Sequence, residues 1–434
     1  MEIIQQFLNG LTVGGIYALI ALGYTMVYGI IKLINFAHGD IFMIGAFAGF
    51  FAVTLITDFL IGAFVSSTLS NADINMFISN YKLIIALISA AVFCGLLGLF
   101  VERVAYRPLR EGSPKTIIGS AVGLIVIILV AVLGKEHFQM DVALLFIVIL
   151  AALSFSTFAF VRYAGNNIKS FAAAKNTKTI IYSLIYITAF IIFTYLAWYF
   201  DILGLVFASF IFLILIYWLV VSRVKATNAG GNSRINALIS AIGMSMILSN
   251  LVMLLFGKGD KPYNMSFSAG VIHLGSFSIS LLQIFIIVFS FILMGILFYI
   301  IHKTKFGLAM RAVSHNLNAA RLMGINPDKV IAMTFVIGSA LAGIAGVLVG
   351  TYYQVISPNI GMMYGLKAFV AAVLGGIGSI PGAVAGGIIL GIAEVFGIAF
   401  LSSSYRDAIA FGILILILII KPTGIFGKTM KEKV

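Results

Sequence analysis

The chain has 434 residues, of which 62% are apolar and 9% are charged, and it carries a formal net charge of +13. Its charged residues are separated by long uncharged apolar stretches, which a water-soluble domain does not tolerate. Nucleic-acid binding would require a soluble module in which basic residues cluster with aromatic ones, and the sequence contains no such module. Composition therefore predicts an all-α, polytopic transmembrane helical bundle that binds no nucleic acid.

Candidate membrane spans follow from hydropathy, because a helix needs about 20 mostly apolar residues to cross the hydrocarbon core. With breaks placed at charged and Gly/Pro clusters, the sequence gives about 12 to 13 spans. In chain order they lie near residues 8–31, 41–57, 83–101, 116–134, 142–161, 179–200, 202–222, 235–256, 279–301, 330–351, 366–377, 382–401 and 407–420.

The basic residues predict the orientation of the spans. If the spans alternate in direction, 21 of the 27 Lys and Arg residues fall in loops on the side of the C-terminus. Such residues concentrate in cytoplasmic loops, so we expect the N-terminus outside and the C-terminus in the cytoplasm. We expect no basic residue near the middle of a span, where it costs about 2.5–3.5 kcal/mol.

Small residues recur at a spacing that lets helices pack closely in lipid. The G-x-x-x-G pairs are Gly10/Gly14, Gly45/Gly49, Gly346/Gly350, Gly382/Gly386 and Gly387/Gly391. They predict a compact bundle and say nothing about a substrate.

Glu394 is an acidic residue in the interior of a predicted span. An intramembrane carboxylate indicates a pathway or gating role by default. The alternative is a protonated side chain that hydrogen-bonds two helices, and the sequence alone favours this alternative.

The interval 302–328 separates two spans and is rich in polar residues. Its apolar positions indicate short amphipathic helices, and Gly324 is expected to end the second of them. Periodicity leaves open whether these helices dock on another protein or lie on lipid headgroups.

Two shorter segments could line a pathway. Gly375, Gly376, Gly378 and Pro381 interrupt an apolar region, which indicates either a tight turn between spans or a broken helix beside a transport path. Asn35 and His38 lie between the first two spans, where helix capping is favoured over pathway lining. No further His or Cys is nearby, so we expect no metal site.

Catalytic motifs are not found in the sequence. The stretch 427–429 resembles the end of a phosphate-binding loop, but the required first glycine is replaced by Pro422. We therefore expect no catalytic residue, no cofactor and no ATPase site in this chain.

Eight stretches of the sequence follow a shared pattern in order and spacing, namely residues 15–29, 34–39, 102–110, 239–245, 319–326, 365–369, 375–382 and 421–424. Together they resemble one family, the permease subunits of branched-chain amino acid ABC importers (LivH-like). The resemblance implies a multi-pass permease of the bacterial plasma (inner) membrane, surrounded by membrane lipids. It also implies a second homologous permease, two cytoplasmic ABC ATPase subunits that use ATP, and an extracytoplasmic solute-binding protein.

In this family a cytoplasmic loop docks on the ATPase, which favours docking for the interval 302–328, called the coupling loop below. Ala319, Ala320 and Gly324 match the family's spacing, and Arg311, Asn316 and Arg321 would be available for polar contacts.

One segment departs from the family pattern. The resemblance implies a core of 8–9 spans formed by residues 1–112 and 235–434, into which residues 113–234 insert about four additional transmembrane helices. An even number of spans returns the chain to the same face, so the downstream core keeps its orientation.

The substrate implied by the resemblance is a branched-chain amino acid, Leu, Ile or Val. Permeases of the same family for urea or short amides remain an alternative. An ion-coupled secondary transporter is a less favoured one, because Glu394 offers little for coupling.

Overall fold

The computed structural model describes residues 2–64, 71–107, 233–263, 270–274 and 277–427. Elements are numbered within these ranges. The helices are α1 Glu2–Ile31, α2 His38–Phe64, α3 Asn71–Val101, α4 Ser233–Phe256, α5 Leu281–Lys303, α6 Lys305–His315, α7 Leu317–Leu322, α8 Pro327–Tyr353, α9 Ile360–Gly375, α10 Ile380–Phe400 and α11 Arg406–Ile420. A π-helical turn, Glu102–Tyr106, extends α3, and a 3-10 turn, Ser403–Tyr405, precedes α11.

The all-α transmembrane architecture predicted from the sequence is confirmed. Among the described residues, seven helices are long and apolar enough to cross a membrane, namely α1, α2, α3, α5, α8, α10, and α11 together with the 3-10 turn before it. Two shorter apolar helices, α4 and α9, occupy the positions of two further predicted spans. The four spans predicted between residues 116 and 222 lie outside the described residues.

Strands are short and stay at the margins of the bundle. Lys261–Pro262 (β1) pairs antiparallel with Val355–Ile356 (β4), and Val271–Leu274 (β2) pairs antiparallel with Phe277–Ser280 (β3). The backbone N–H of Tyr263 also donates to the carbonyl of Gln354 at 2.8 Å. The β1–β4 pair thereby ties the segment after α4 to the end of α8.

The position of α9 corrects one sequence prediction. The helix begins at Ile360 rather than near residue 366, so Lys367 lies in the middle of this 16-residue helix and not at the start of a span. The expectation that no span carries a basic residue near its middle is therefore wrong for α9. The glycines Gly361 and Gly365 lower the hydropathy of the first turns, yet they let α9 approach the backbone of Gly39 in α2.

Glycines bring the helices into close contact, as their spacing predicts. A Cβ atom built at any of the ten glycines in the G-x-x-x-G pairs would lie within 3.0 Å of a neighbouring atom. At Gly391 it would overlap the backbone of Gly14, and at Gly14 it would lie 2.8 Å from the Cα atom of Ile388. Helices α1 and α10 therefore pack backbone to backbone, and α1 lies at the centre of the bundle with most of its length buried.

Polar contacts show which helix termini lie at the same end of the bundle. Where α1 begins, Gln5 accepts from the backbone of Ser278 at 3.2 Å and Asn9 accepts from Gln283 at 2.8 Å. We call this the N-terminal end of the bundle. At the opposite end, an Arg107 nitrogen lies 3.8 Å from a carboxylate oxygen of Asp328. The starts of α1 and α5 therefore lie at one end of the bundle, and the start of α8 lies beside the segment after α3 at the other end.

The π-helical turn after α3 contacts α4, the next described helix in the chain. The hydroxyl of Ser240, in the second turn of α4, donates to the carbonyl of Ala105 in the π-helical turn at 3.0 Å. The elements on either side of residues 108–232 therefore touch within the core.

Candidate functional site

Four charged side chains meet near the N-terminal end of the bundle. They are Lys367 of α9, Glu394 of α10, and Arg406 and Asp407 at the start of α11. We call this group the charged cluster. Glu394 is fully buried, at 0% relative exposure. Its Oε1 atom accepts from Lys367 Nζ at 3.1 Å and from Arg406 Nε, and its Oε2 atom accepts from the Tyr17 hydroxyl at 2.9 Å.

The charged cluster extends from the surface to the interior. Lys367 Nζ also lies 2.8 Å from an oxygen of Asp407, whose side chain is 48% exposed, whereas the Lys367 side chain is 5% exposed. A terminal nitrogen of Arg406 donates to the hydroxyl of Tyr353 at 2.6 Å, and the guanidinium lies 5.3 Å from the centre of that ring. A continuous series of polar contacts therefore runs from exposed Asp407 to buried Tyr17.

Aromatic rings form the interior side of the charged cluster. The rings of Tyr17 and Tyr364 are 5.9 Å apart, and Tyr364 stacks on Phe42 at 5.3 Å. Tyr353 contacts Tyr364 edge to face at 6.4 Å. The charged groups thus lie beside a group of packed aromatic rings from α8, α9, α1 and α2.

Charge balance explains how the membrane interior accommodates these groups. A buried charge is tolerated when it is paired and hydrogen-bonded. The two cations and two carboxylates of the charged cluster sum to zero, and both oxygens of Glu394 have partners. Sequence reasoning identified Glu394 but not Lys367, Arg406, Asp407 or Tyr17. Tyr17 and Lys367 fall in the family stretches 15–29 and 365–369 without a predicted role, and Arg406 falls between the predicted spans 382–401 and 407–420.

The turn between α1 and α2 places Asn35 and His38 in the interior at the opposite end of the bundle. Asn35 is 2% exposed and accepts from the Tyr106 hydroxyl at 2.9 Å, which links the turn to the π-helical turn. His38 begins α2; its Nε2 atom lies 3.2 Å from the carbonyl of Ile20, and its ring packs edge to face on Tyr24. Their proposed pathway role stays a prediction.

The glycine-rich segment 375–382 forms the turn between α9 and α10. Gly376 and Gly378 have φ angles of +102° and +93°, and Pro381 lies in the first turn of α10, which Ser379 caps by accepting from Gly382 at 3.2 Å. The backbone N–H of Phe426 donates to the carbonyl of Gly375 at 3.0 Å. These residues join two helices and hold the segment after α11; their pathway role also stays a prediction.

The coupling loop consists of α6 and α7, and two of its predicted contact residues have internal partners. Arg311 donates to the carbonyl of Ile301 at 2.8 Å, which satisfies the end of α5. Asn316 is the N-cap of α7, and its Oδ1 atom accepts from the backbone of Asn318 and Ala319 at 3.0 Å each. Ala320 is buried within the chain, whereas Ala319 and Arg321 are exposed.

Gly324 ends α7 as the sequence predicts. Its φ angle is +79°; its own N–H donates to Arg321, and the N–H of Ile325 donates to Ala320, both at 3.0 Å. This is the Schellman arrangement, in which a glycine takes the left-handed position. Just before it, Leu322 and Met323 are 89% and 82% exposed. The loop thus presents an apolar projection supported by an ordered turn.

Among the described residues, no group of three or more His, Cys, Asp and Glu side chains is placed to hold a metal ion. The charged cluster instead offers ion pairs and hydrogen bonds.

Comparison with known proteins identifies the family. Residues 201–418 match the family model for the branched-chain amino acid transport system permease component. The chain is 35% identical to the high-affinity branched-chain amino acid transport system permease protein BraD of Pseudomonas aeruginosa, over 99% of this chain and 98% of that protein. The chain belongs to this permease family.

Other relatives agree with membership of the permease family. The identity to LivH of Escherichia coli, a permease protein of the same kind of system, is 35% over 99% of this chain and 97% of LivH. The ribose import permease protein RbsC of Escherichia coli is 29% identical over 43% of this chain and 60% of its own length. No solved structure matches the chain. As a permease family member with many membrane-spanning helices, the chain is a multi-pass transport component of the inner membrane.

Proposed function

We propose that the chain is the membrane permease of an ATP-driven importer for branched-chain amino acids. The observation that carries this proposal is the similarity to BraD and LivH over nearly the whole of both chains. Both relatives are named as permeases of high-affinity branched-chain amino acid transport systems. In the proposed complex the chain pairs with a second homologous permease, two cytoplasmic ATPases and an extracytoplasmic solute-binding protein, and it has no ATPase site of its own.

The coupling loop supplies the contact with the ATPases. Leu322 and Met323 are exposed although they are large and apolar, and burying such side chains against a partner is favourable by about 25 cal/mol per Å² of apolar surface. The caps at Asn316 and Gly324 hold α7 in place, so a movement of the ATPase is transmitted to α8 through a short, ordered connection.

The proposed orientation places the N-terminus outside and the C-terminus in the cytoplasm. The coupling loop and the turn 375–382 then face the cytoplasm, where the ATPases bind. The charged cluster then lies toward the outer side, where the binding protein delivers the solute. The distribution of Lys and Arg between the predicted loops supports this orientation.

The test is uptake by the reconstituted complex of both permeases, both ATPases and the binding protein in proteoliposomes. We expect uptake of labelled leucine that requires ATP and the binding protein, with no uptake of labelled urea. Uptake of urea in place of leucine would assign the alternative substrate. Leucine uptake that follows a proton or sodium gradient without ATP would contradict the proposed mechanism.

A further inference from the structure

The charged cluster contains three ion pairs, linked in series through buried Lys367 and Glu394. Glu394 is bound by Lys367 and Arg406, and Lys367 is in turn bound by Asp407. A ligand with a single charge would leave one buried member of the cluster without a partner, which is unfavourable in a low-dielectric interior. A ligand that carries one positive and one negative group can bind both residues of an ion pair that has separated. The total charge of the cluster and its ligand then stays at zero.

The surroundings of the charged cluster fit the rest of such a ligand. The rings of Tyr17, Tyr353 and Tyr364 lie beside the charged groups and pack on one another, so an aliphatic side chain would contact them once the cluster opens. Their hydroxyl groups supply hydrogen bonds at the boundary between the charged and apolar parts. Small-molecule sites commonly combine an apolar lining with a few well-placed polar groups.

Two members of the charged cluster are partly exposed near the N-terminal end of the bundle. Arg406 and Asp407 have side chains that are 31% and 48% exposed, and each is directly paired with a buried member of the cluster. A solute that arrives at this end would meet these two residues before it reaches Lys367 and Glu394.

From this geometry we propose that the charged cluster is the binding site for the zwitterionic end of the transported amino acid, which it binds by exchange of ion pairs. The carboxylate of the solute binds Lys367 and Arg406, and its ammonium group binds Glu394 and Asp407. The aliphatic side chain lies against the tyrosine rings. In the arrangement described here the cluster is closed on itself, and the solute opens it by replacing the pair between Arg406 and Glu394. This inference rests on the proposed function and names the part of the permease that recognises the solute.

The first experiment measures leucine uptake and ATP hydrolysis in the same proteoliposomes, with saturating leucine-loaded binding protein. The variant Glu394→Gln keeps the size of the side chain and removes its charge. We expect the amount of leucine moved per ATP hydrolysed to fall roughly tenfold, because a buried charge partner is lost. A merely structural role would lower assembly, ATP hydrolysis and uptake in parallel and leave this ratio unchanged, which would overturn the inference.

Two further variants keep the first experiment decisive. Thr334→Val removes a buried hydroxyl that donates within α8 to the carbonyl of Val330, and it is expected to keep the wild-type ratio. If Glu394→Gln does not assemble, Arg406→Gln replaces it, because the partly exposed Arg406 side chain is easier to change without unfolding. A wild-type ratio in Arg406→Gln would overturn the inference, whereas failure of the wild-type complex to take up leucine would overturn the proposed function itself.

The second experiment tests the requirement for two opposite charges. Labelled leucine is bound to the purified permease–ATPase complex without binding protein, and 4-methylpentanoate or 3-methylbutylamine is added as a competitor. We expect each singly charged analogue to compete about tenfold less well than leucine, since either one leaves a member of the cluster without a partner. Equal competition by either analogue, or no displacement by excess unlabelled leucine, would overturn the inference.

Discussion

The Tyr17 hydroxyl donates a hydrogen bond to Oε2 of Glu394 at 2.9 Å, which joins the middle of α1 to α10. Both side chains are fully buried, and the other carboxylate oxygen is bound by Lys367 and Arg406. The central helix of the bundle is therefore connected to the charged cluster by one specific polar contact, in addition to the close packing of its glycines.

Removal of this contact should destabilise the permease. We expect Tyr17→Phe to lower the free energy of unfolding by about 1–3 kcal/mol, because it leaves a buried carboxylate oxygen without its donor. Thermal or denaturant unfolding of the purified protein in detergent measures the change. Tyr28→Phe, on the same helix but partly exposed, is the matched control, and an equal loss in the two variants would contradict the prediction.

Close packing of α1 on α10 makes Gly391 sensitive to the smallest substitution. The added methyl group of Gly391→Ala would overlap the backbone of Gly14, so the two helices must separate, at a cost of about 1–3 kcal/mol. Gly412→Ala in α11 has nothing within 4 Å of the new atom and should be neutral or stabilising by about 0.5–1 kcal/mol. A thermal shift assay on both variants distinguishes the effects; a stable Gly391→Ala protein would show that the packing is not limiting.

Because Leu322 is exposed, its replacement is expected to impair binding of the ATPases rather than folding of the chain. At 89% exposure the side chain contributes little to the isolated chain, so Leu322→Ser should leave the melting temperature unchanged. The same change should weaken co-purification of the ATPase subunits and lower uptake several-fold. Leu308→Ser, which removes a 61% exposed leucine from α6, is the comparison, and a larger loss of ATPase there would place the contact on α6 instead.

Because Gly324 has a left-handed conformation, the effect of replacing it is expected to depend on the new residue. A branched residue in this conformation costs roughly 1–2 kcal/mol, whereas asparagine is tolerated. Gly324→Val should therefore lower uptake and ATPase coupling without loss of membrane insertion, and Gly324→Asn should retain most of the activity. Uptake assays together with quantification of the protein in the membrane fraction test this, and undiminished uptake by the valine variant would contradict it.

Hydropathy predicts the described spans well because each one is a continuous apolar run of helical length. It misplaces the start of α9, since Gly361 and Gly365 resemble a loop until their contact with α2 is known. For the same reason it assigns Lys367 to a span terminus. The pairing of Lys367 with Glu394 joins positions 27 residues apart on different helices, and no local pattern records it.

Some features of the coupling loop can be predicted from local sequence signals, and others cannot. Gly324 could be predicted as a helix terminus because a left-handed C-terminal residue is a local requirement. Arg311 and Asn316 were predicted as contacts for a partner, and the structure gives both an internal role as well. Their internal bonds depend on how α6 and α7 fold back on α5, which periodicity does not specify.

The contact between Ser240 and Ala105 makes the segment between α3 and α4 a suitable place for replacing part of the chain. Because α4 contacts the π-helical turn after α3, we expect that a soluble fluorescent protein, whose own termini lie close together, can replace residues 113–230 while this contact is kept. Such a chimera is expected to insert into the membrane and bind the ATPases. Its fluorescence would then report the amount of correctly folded permease core in living cells.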